Sequence, residues 1–236
     1  TKHGAQRLPA ELRKTPLTYY SRPGPMGQLF SEYDDRNGQW EIGAVGLGTG
    51  ALSCYSKQQQ NWTFYEIDPT VIEIARNPEY FSYLKLCGNN PEILLGDARL
   101  SLENEPDQKF DLLIMDAFSS DSVPTHLLTR EALELYFDKL KPGGLLAFHI
   151  TNRHLSLKKV LADHAKQMQL ASLIQEFKPK KEIPLVVDAD WVVMARNEET
   201  LEPLRQSRLG HWQKMPLYFD MKPWTDDFTN IISIWK

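Results

Sequence analysis

The sequence contains a glycine-rich run, Val45-Gly46-Leu47-Gly48-Thr49-Gly50-Ala51, directly after the short apolar segment 41–45. A short apolar segment that ends in glycines predicts a strand followed by a tight turn. Glycines at such a turn let a ligand approach the backbone, where N–H groups at the start of a helix can face it. The run also fits the G-x-G-x-x-A dinucleotide-binding pattern, although a plain strand–helix turn has the same letters.

Short apolar segments alternate with helical patterns along the rest of the chain. We predict seven strands, at 41–45, 63–65, 92–95, 111–115, 145–150, 172–177 and 191–195. We predict helices at 50–59, at 69–76 after the cap Asp68, after the cap Thr129, and from the cap Ser156 to about residue 169. This alternation predicts a doubly wound α/β fold with a mostly parallel, seven-stranded sheet. Ligands of such sheets bind at the carboxyl ends of the strands.

The segment before the first predicted strand differs from the rest of the chain. Residues 1–40 are polar and contain prolines at positions 9, 16, 23 and 25. We predict an N-terminal extension with little regular structure over 1–40 and a catalytic domain over 41–236. Because the chain begins with Thr1 rather than Met, we expect it to be a piece of a longer protein.

Composition and charge disfavour several classes of protein. The 236 residues carry a formal net charge of -4, whereas proteins that bind nucleic acid or anionic membranes are usually basic. No apolar run reaches the length of a membrane-spanning helix, and no signal peptide is visible. We therefore expect a cytoplasmic protein that does not bind nucleic acid.

The two cysteines, Cys54 and Cys87, have no neighbours at the spacing of a zinc site. We interpret both as reduced and partly buried, with a single disulfide as the alternative. The histidines show no metal-ligand spacing either. His149, at the end of the fifth predicted strand, fits either a ligand contact or a hydrogen-bonded structural histidine.

Acidic residues follow the second, third and fourth predicted strands. The carboxylate of Glu66 can accept hydrogen bonds from both hydroxyls of a ribose. Asp97 can meet the exocyclic amine of an adenine, or it can simply cap the next helix. Asp116 and Asp121 can bind an amine and take its proton, or they can belong to a solvated turn. Three acidic strand ends together favour a binding site.

Together these motifs resemble those of the spermidine synthase family. The resemblance covers nearly the whole chain and is closest to a bacterial branch in which the domain follows a transporter-like membrane region. The matching residues are 3–6, 16–20, 46–50, 65–68, 96–98, 116–121, 126–128, 140–144 and 224–227.

The resemblance implies a Rossmann-like fold of the class I S-adenosylmethionine-dependent methyltransferase type. It implies transfer of an aminopropyl group from decarboxylated S-adenosylmethionine to a small-molecule amine such as putrescine, without a metal. It also implies a homodimer, and residues 1–40 would be the remnant of a small β-domain that precedes this domain in the family. The branch implies tethering to a membrane region.

The resemblance also assigns roles to individual residues. Asp116 would be the catalytic proton acceptor. The cofactor would contact Gly46, Gly48, Thr49, Gly50, Glu66, Ile67, Asp97 and Ala98. The substrate would contact Gln6, Tyr20 and Asp121.

Three departures from the family pattern leave the reaction open. Thr49 stands where the family has an aspartate that binds the aminopropyl ammonium. The run His149-Ile150-Thr151-Asn152-Arg153 lacks the acidic residue expected after the fifth strand, and Ile183-Pro184 replaces a Tyr-Pro pair.

Three alternatives therefore remain. Thr49 favours a methyltransferase, because the missing carboxylate leaves room for the carboxylate of intact S-adenosylmethionine. A non-catalytic sensor of nucleosides or polyamines is the second alternative. An NAD-dependent oxidoreductase is the third, and Asp97 and Asp116 argue against it.

Overall fold

The computed structural model describes residues 4–33, 39–118, 123–179, 183–218 and 222–236. In these ranges eight strands form one sheet: β1 Trp40–Val45, β2 Gln60–Glu66, β3 Glu92–Leu95, β4 Phe110–Met115, β5 Leu140–His149, β6 Ala171–Phe177, β7 Ala189–Ala195 and β8 Gln213–Lys214. The α-helices are α1 Pro25–Glu32, α2 Pro69–Arg76, α3 Tyr83–Cys87, α4 Ala98–Glu103, α5 Arg130–Lys139, α6 Leu157–Gln167 and α7 Glu198–Arg205.

The strand order is β3-β2-β1-β4-β5-β7-β6-β8. The first five strands are parallel neighbours, and β7 runs antiparallel to both β5 and β6. The predicted doubly wound, mostly parallel α/β fold is confirmed. The predicted strand number was too low by one, because β8 is a two-residue exposed strand without an alternating apolar pattern.

The interior strands are apolar because helices cover both faces of the sheet. In β4, Phe110 and the four residues from Leu112 to Met115 have no exposed surface. On one face Ile114 packs with residues of α1, α2, α3 and α7, and on the other Met115 packs with residues of α4, α5 and α6. Full burial of each such side chain stabilises the fold by roughly 1.5–3 kcal/mol.

Hydrogen bonds continue past the strand ends and hold the loops together. The N–H of Gly46 donates to the carbonyl of Tyr65 at 2.8 Å, and the N–H of Asp116 donates to the carbonyl of Val45 at 2.9 Å. The N–H of Gly96 donates to the carbonyl of Glu66 at 2.9 Å. The ends of β1, β2, β3 and β4 therefore lie side by side where the strand order reverses, the usual position of a ligand site in such sheets.

The segment before β1 has more regular structure than we predicted. Pro25 occupies the first turn of α1, a position for which its fixed backbone angle is suited. The core contains four apolar residues from this segment: Met26, Leu29, Phe30 and Tyr33. Their i, i+3, i+4, i+7 spacing is typical of a helix, but the nearby prolines led us to predict little regular structure. The described part of the segment packs against the sheet, and its origin as a β-domain remnant stays a prediction.

The predicted helix over 50–59 is wrong. A 3₁₀ helix spans only Ala51–Tyr55, and the next strand begins at Gln60. The register pairs Trp40 with Gln60, so the chain must return to the sheet before a full helix can form. The other predicted helix starts are close to the structure: the carboxylate of Asp68 accepts from the N–H of Thr70, and the Thr129 hydroxyl accepts from Ala132.

Cys54 and Cys87 form a disulfide, so the interpretation of both as reduced thiols is wrong. The pair lies 33 residues apart in sequence, and α3 packs against the 3₁₀ helix Ala51–Tyr55. The Cα atoms of the two cysteines come within 4.6 Å. That proximity depends on tertiary packing and has no signature in the spacing of the cysteines.

In the described part of the chain, no helix combines the length and the apolar character that crossing a membrane requires.

Candidate active site

A cavity of about 700 Å³ opens at the carboxyl ends of the central strands. It is lined by these residues of the predicted cofactor site: Gly46, Gly48, Glu66, Ile67, Asp97 and Ala98. Asp116 and Tyr20 also line it. The structure therefore brings the three acidic strand ends to one cavity, as the parallel sheet requires.

Gly46 lets β1 and β4 approach each other at the cavity. Its φ of 94° lies in the left-handed region, which residues with a side chain rarely adopt. A Cβ atom at this position would lie 2.6 Å from the carbonyl oxygen of Asp116. Any other residue at position 46 would therefore push apart the two strand ends that carry the glycine loop and the predicted catalytic carboxylate.

The carboxylate of Glu66 holds the glycine loop against the end of β2. Its Oε2 accepts from the N–H of Leu47 at 2.9 Å, and its Oε1 accepts from the N–H of Asp68 at 3.0 Å. An ionised carboxylate has about four acceptor positions, so both oxygens keep capacity for ribose hydroxyls. Glu66 is buried, which strengthens such bonds.

Asp97 caps α4 and lines the cavity at the same time. Its Oδ1 accepts from the N–H of Leu100 at 3.1 Å, and its Oδ2 lies 2.9 Å from Nε2 of His126. Burial raises the pKa of Asp97, but the hydrogen bonds from Leu100 and His126 outweigh it, so the pKa lies below its usual value. The predicted helix cap is therefore confirmed, the contact of Asp97 with an adenine stays a prediction, and His126 is a cavity residue that the sequence analysis missed.

The Asp116 carboxylate is paired with His149 at the end of β5. Oδ1 of Asp116 lies 2.6 Å from Nδ1 of His149, and both side chains are almost fully buried. The Tyr19 ring stacks on the imidazole with a centroid distance of 4.3 Å. Burial raises the pKa of Tyr19, and the charge of Asp116 raises it further, so the phenol stays neutral.

Several predicted site residues lie elsewhere. Gln6 accepts from the N–H of Ser82 and donates to the carbonyl of Arg13, so it fastens the N-terminal segment. Neither Gln6, Thr49 nor Gly50 is among the described residues that line the cavity. Asp121 lies outside the described residues.

Thr49 is buried against the N-terminal segment. A Cβ atom at Gly4 would collide with the Thr49 methyl group, which shows how closely the two backbones pack. The Thr49 hydroxyl has no hydrogen-bond partner among the described residues. It therefore occupies a packing position in this structure.

The cavity also contains charged residues that the sequence analysis did not assign to it. Arg153 and Asp188 line it, together with Thr151. The sequence feature that could have predicted a cavity position for Arg153 is that it lies four residues after the end of β5. In the part of the chain that the structure describes, no group of three or more His, Cys, Asp or Glu residues is arranged to hold a metal ion.

Comparison with protein-family models gave no match. A polyamine aminopropyltransferase of Vibrio vulnificus (strain CMCP6) is 31% identical over 132 residues, which is 54% of this chain. The chain covers 41% of the length of that relative.

Solved structures of spermidine synthases share the fold. A probable spermidine synthase from Corynebacterium glutamicum ATCC 13032 superposes with a TM-score of 0.62 at 18% identity, covering 86% of this chain and 77% of that one. A spermidine synthase in complex with the transition state analogue AdoDATO has a TM-score of 0.55 at 13% identity, covering 85% of this chain and 67% of that one. The resemblance to spermidine synthases is thereby confirmed in fold, which is class I methyltransferase-like, and about half of the chain is similar in sequence to a polyamine aminopropyltransferase. The branch with a transporter-like membrane region stays a prediction.

Proposed function

We propose that this chain transfers an aminopropyl group from decarboxylated S-adenosylmethionine to a small-molecule amine. The observation that carries the proposal is that Glu66, Asp97 and Asp116, from the ends of three strands, line one cavity of about 700 Å³. A cavity of that volume is in the range for small-molecule ligands. The similarity to a polyamine aminopropyltransferase supports the same reaction.

The donor set suits an adenosine-type ligand. Glu66 offers buried carboxylate oxygens to ribose hydroxyls, and Asp97 offers an acceptor to the exocyclic amine of an adenine. Gly46 and Gly48 leave the adjacent wall without side chains, where the sulfonium part would lie. Decarboxylated S-adenosylmethionine, when bound, would supply a propylamine chain on a sulfonium and a thioether leaving group.

The chemical step requires little stabilisation of developing negative charge. The acceptor ammonium first loses a proton to Asp116, and its nitrogen lone pair then attacks the carbon bonded to sulfur. The C–N bond forms as the C–S bond breaks, and the electron pair stays on sulfur to give neutral methylthioadenosine. One proton passes to solvent in each turnover. The protein contributes in-line placement and a base within reach of the amine.

A methyltransferase remains the second candidate, but its support has changed. The argument from Thr49 loses weight, because the side chain is buried and is not among the described cavity residues. Arg153 now favours this candidate, because it lines the cavity and a guanidinium suits the carboxylate of intact S-adenosylmethionine. The homodimer, the membrane tether and the choice of putrescine as acceptor are further proposals, which rest on the family resemblance, and the cytoplasmic location is a proposal from the sequence alone.

Calorimetry and turnover separate these candidates. We expect methylthioadenosine and decarboxylated S-adenosylmethionine to bind, and the decarboxylated form to bind at least tenfold more tightly than intact S-adenosylmethionine. We expect putrescine to release methylthioadenosine. Preference for the intact form would support methylation, binding without turnover of any amine would support a sensor, and binding of NAD alone would reject the proposal.

Asp116→Asn tests the assigned base. We expect turnover to fall by about 10²–10⁴-fold, the usual contribution of a positioned base, while methylthioadenosine affinity changes little. Asp111→Asn is the matched control, since Asp111 lies at the opposite end of the same strand, hydrogen-bonded to Lys141 and to the N–H of Glu41. An unchanged rate in Asp116→Asn would remove Asp116 from the mechanism.

A further inference from the structure

The imidazole of His149 is fixed between two aromatic rings. Tyr19 stacks on the ring at a centroid distance of 4.3 Å and Trp191 at 4.9 Å, with interplanar angles of 26° and 29°. His149 has only 4% of its surface exposed. The two aromatic faces prevent the ring from tilting, so its polar interactions are confined to the two nitrogen edges.

Each nitrogen edge has one defined partner. Nδ1 lies 2.6 Å from Oδ1 of Asp116, and Nε2 lies 2.8 Å from Oγ1 of Thr151. The Thr151 oxygen already accepts from the N–H of Asp190 at 2.7 Å, which leaves its own hydrogen available to Nε2. In the neutral imidazole the proton therefore belongs on Nδ1, where it is donated to the Asp116 carboxylate.

The titratable groups around this ring come from three elements. Tyr19 faces it from the turn Thr18–Tyr20, Asp116 from the end of β4, and Asp190 from β7. Burial and the charge of Glu176 raise the pKa of Asp190, and the positive charges of Lys236 and Lys158 oppose that increase. Arg153 and Asp188 line the same cavity. Asp116 is the partner in direct contact with the imidazole.

We propose that His149 is a positioning residue for Asp116, an inference that rests on the proposed aminopropyl transfer. Its Nδ1–H holds one carboxylate oxygen and thereby orients the other toward the acceptor amine. With a neutral imidazole the Asp116–His149 pair carries one negative charge, which attracts the acceptor ammonium and takes its proton.

This arrangement predicts how His149 affects the rate. His149→Gln loses the imidazole that the two aromatic rings fix against Asp116, so kcat should fall by about tenfold or more, the effect of losing a positioned hydrogen bond to a charged group. Methylthioadenosine affinity should change by less than about threefold, because the hydrogen bonds of Glu66 and Asp97 are untouched. His154→Gln, which changes an exposed histidine in the following loop, should keep the wild-type kcat.

Nuclear magnetic resonance of ¹⁵N-histidine tests the inference without turnover. We expect His149 at pH 8 to carry its proton on Nδ1 in the wild type, and to shift toward Nε2 protonation in Asp116→Ala. We expect Thr151→Val to alter the Nε2 signal and to leave the Nδ1 proton in place. An Nε2-protonated ring in the wild type, or an equal kcat in His149→Gln and the wild type, would overturn the proposal.

The two proposals fail in different ways. If no amine is turned over, the proposed transfer reaction fails, and the tautomer of His149 still decides whether the pairing with Asp116 exists. If His149→Gln does not fold, the wild-type and Asp116→Ala spectra decide the question. If turnover is present and the tautomer is wrong, the transfer reaction stands and the role of His149 is rejected.

Discussion

Nε2 of His126 lies 2.9 Å from Oδ2 of Asp97, the carboxylate that we propose for adenine recognition. Oδ1 accepts from the N–H of Leu100 at the start of α4, and each carboxylate oxygen can accept a second hydrogen bond. His126 therefore shares Asp97 with the proposed adenine amine and reduces the acceptor capacity left for it.

The first prediction follows from this sharing of Asp97. We expect His126→Ala to bind methylthioadenosine more tightly than the wild type, by up to about tenfold, the effect of one charge-assisted hydrogen bond. Calorimetric titration of the two proteins measures the difference. Equal or weaker binding by His126→Ala would contradict the prediction.

The second prediction concerns Glu66. A glutamine at this position has one acceptor oxygen for the two backbone N–H groups of Leu47 and Asp68, so it must lose one loop contact as well as the charge. We expect Glu66→Gln to weaken methylthioadenosine binding by at least tenfold.

A matched pair of controls makes the test of Glu66 specific. Asp68→Asn makes the same chemical change two residues away and should leave binding unchanged, because asparagine caps a helix as well as aspartate does. Glu66→Gln should weaken binding of the 2′,3′-dideoxy analogue of methylthioadenosine less than binding of the parent compound, because only the parent also loses ribose contacts. If the variant weakens binding of the dideoxy analogue as much as that of the parent, Glu66 does not act through the ribose.

The sequence predicted the position of the site better than its internal contacts. Glu66, Asp97 and Asp116 were predicted to meet because they follow parallel strands, and strand ends in such a sheet share one edge. The contacts of Asp97 with His126 and of Asp116 with His149 join residues 29 and 33 positions apart, and no periodic pattern encodes them.

Contacts between distant segments also explain which parts of the fold were not predicted from the sequence. The disulfide depends on how α3 packs, and the helix α1 was masked by the surrounding prolines. The helix predicted over 50–59 was wrong for a related reason. Gln60 pairs with Trp40 in the sheet, so the residues before Gln60 must lead back to the sheet and cannot continue the helix. Local patterns thus identified the strands, whereas packing between distant segments set the connections.

The third prediction tests the placement of Thr49. Its hydroxyl is buried without a partner among the described residues, and an unsatisfied buried group destabilises a fold. We expect Thr49→Val to raise the free energy of unfolding by up to about 1 kcal/mol and to change methylthioadenosine affinity by less than about twofold. A tenfold loss of affinity would show that Thr49 contacts the cofactor, as the family resemblance implies.

Thr129→Val is the matched control for this change. The Thr129 hydroxyl accepts from the N–H of Ala132 and from Arg99, and it donates to Asp226 at 2.7 Å, so the same substitution removes three hydrogen bonds. We expect Thr129→Val to lower the free energy of unfolding by about 1–2 kcal/mol, the usual effect of losing a helix cap. Urea unfolding of both variants measures the difference.

The fourth prediction is a pH dependence of stability that arises from His164 in α6. The side chain has no exposed surface, Nε2 lies 2.9 Å from the carbonyl oxygen of Leu128, and Nδ1 has no partner among the described residues. Burial lowers the pKa of His164, and the Leu128 carbonyl only partly opposes this. The folded state therefore holds the neutral ring, since a second N–H would be buried without an acceptor.

The sign of the effect follows from proton linkage. Below about pH 6.5 the unfolded chain binds a proton at this histidine that the folded protein does not bind, so acid favours unfolding. Stability should fall by up to about 1.4 kcal/mol per pH unit between pH 6.5 and the lowered pKa of His164, and this group should have no effect above about pH 7.5.

Urea unfolding of the wild type and His164→Gln at pH 5, 6, 7 and 8 measures this dependence of the free energy of unfolding on pH. We expect a shallower slope in His164→Gln, and an unchanged slope in the control His154→Gln, which changes an exposed histidine. Parallel curves for His164→Gln and the wild type would mean that the buried ring accepts the proton without a penalty, which the unpartnered Nδ1 does not allow.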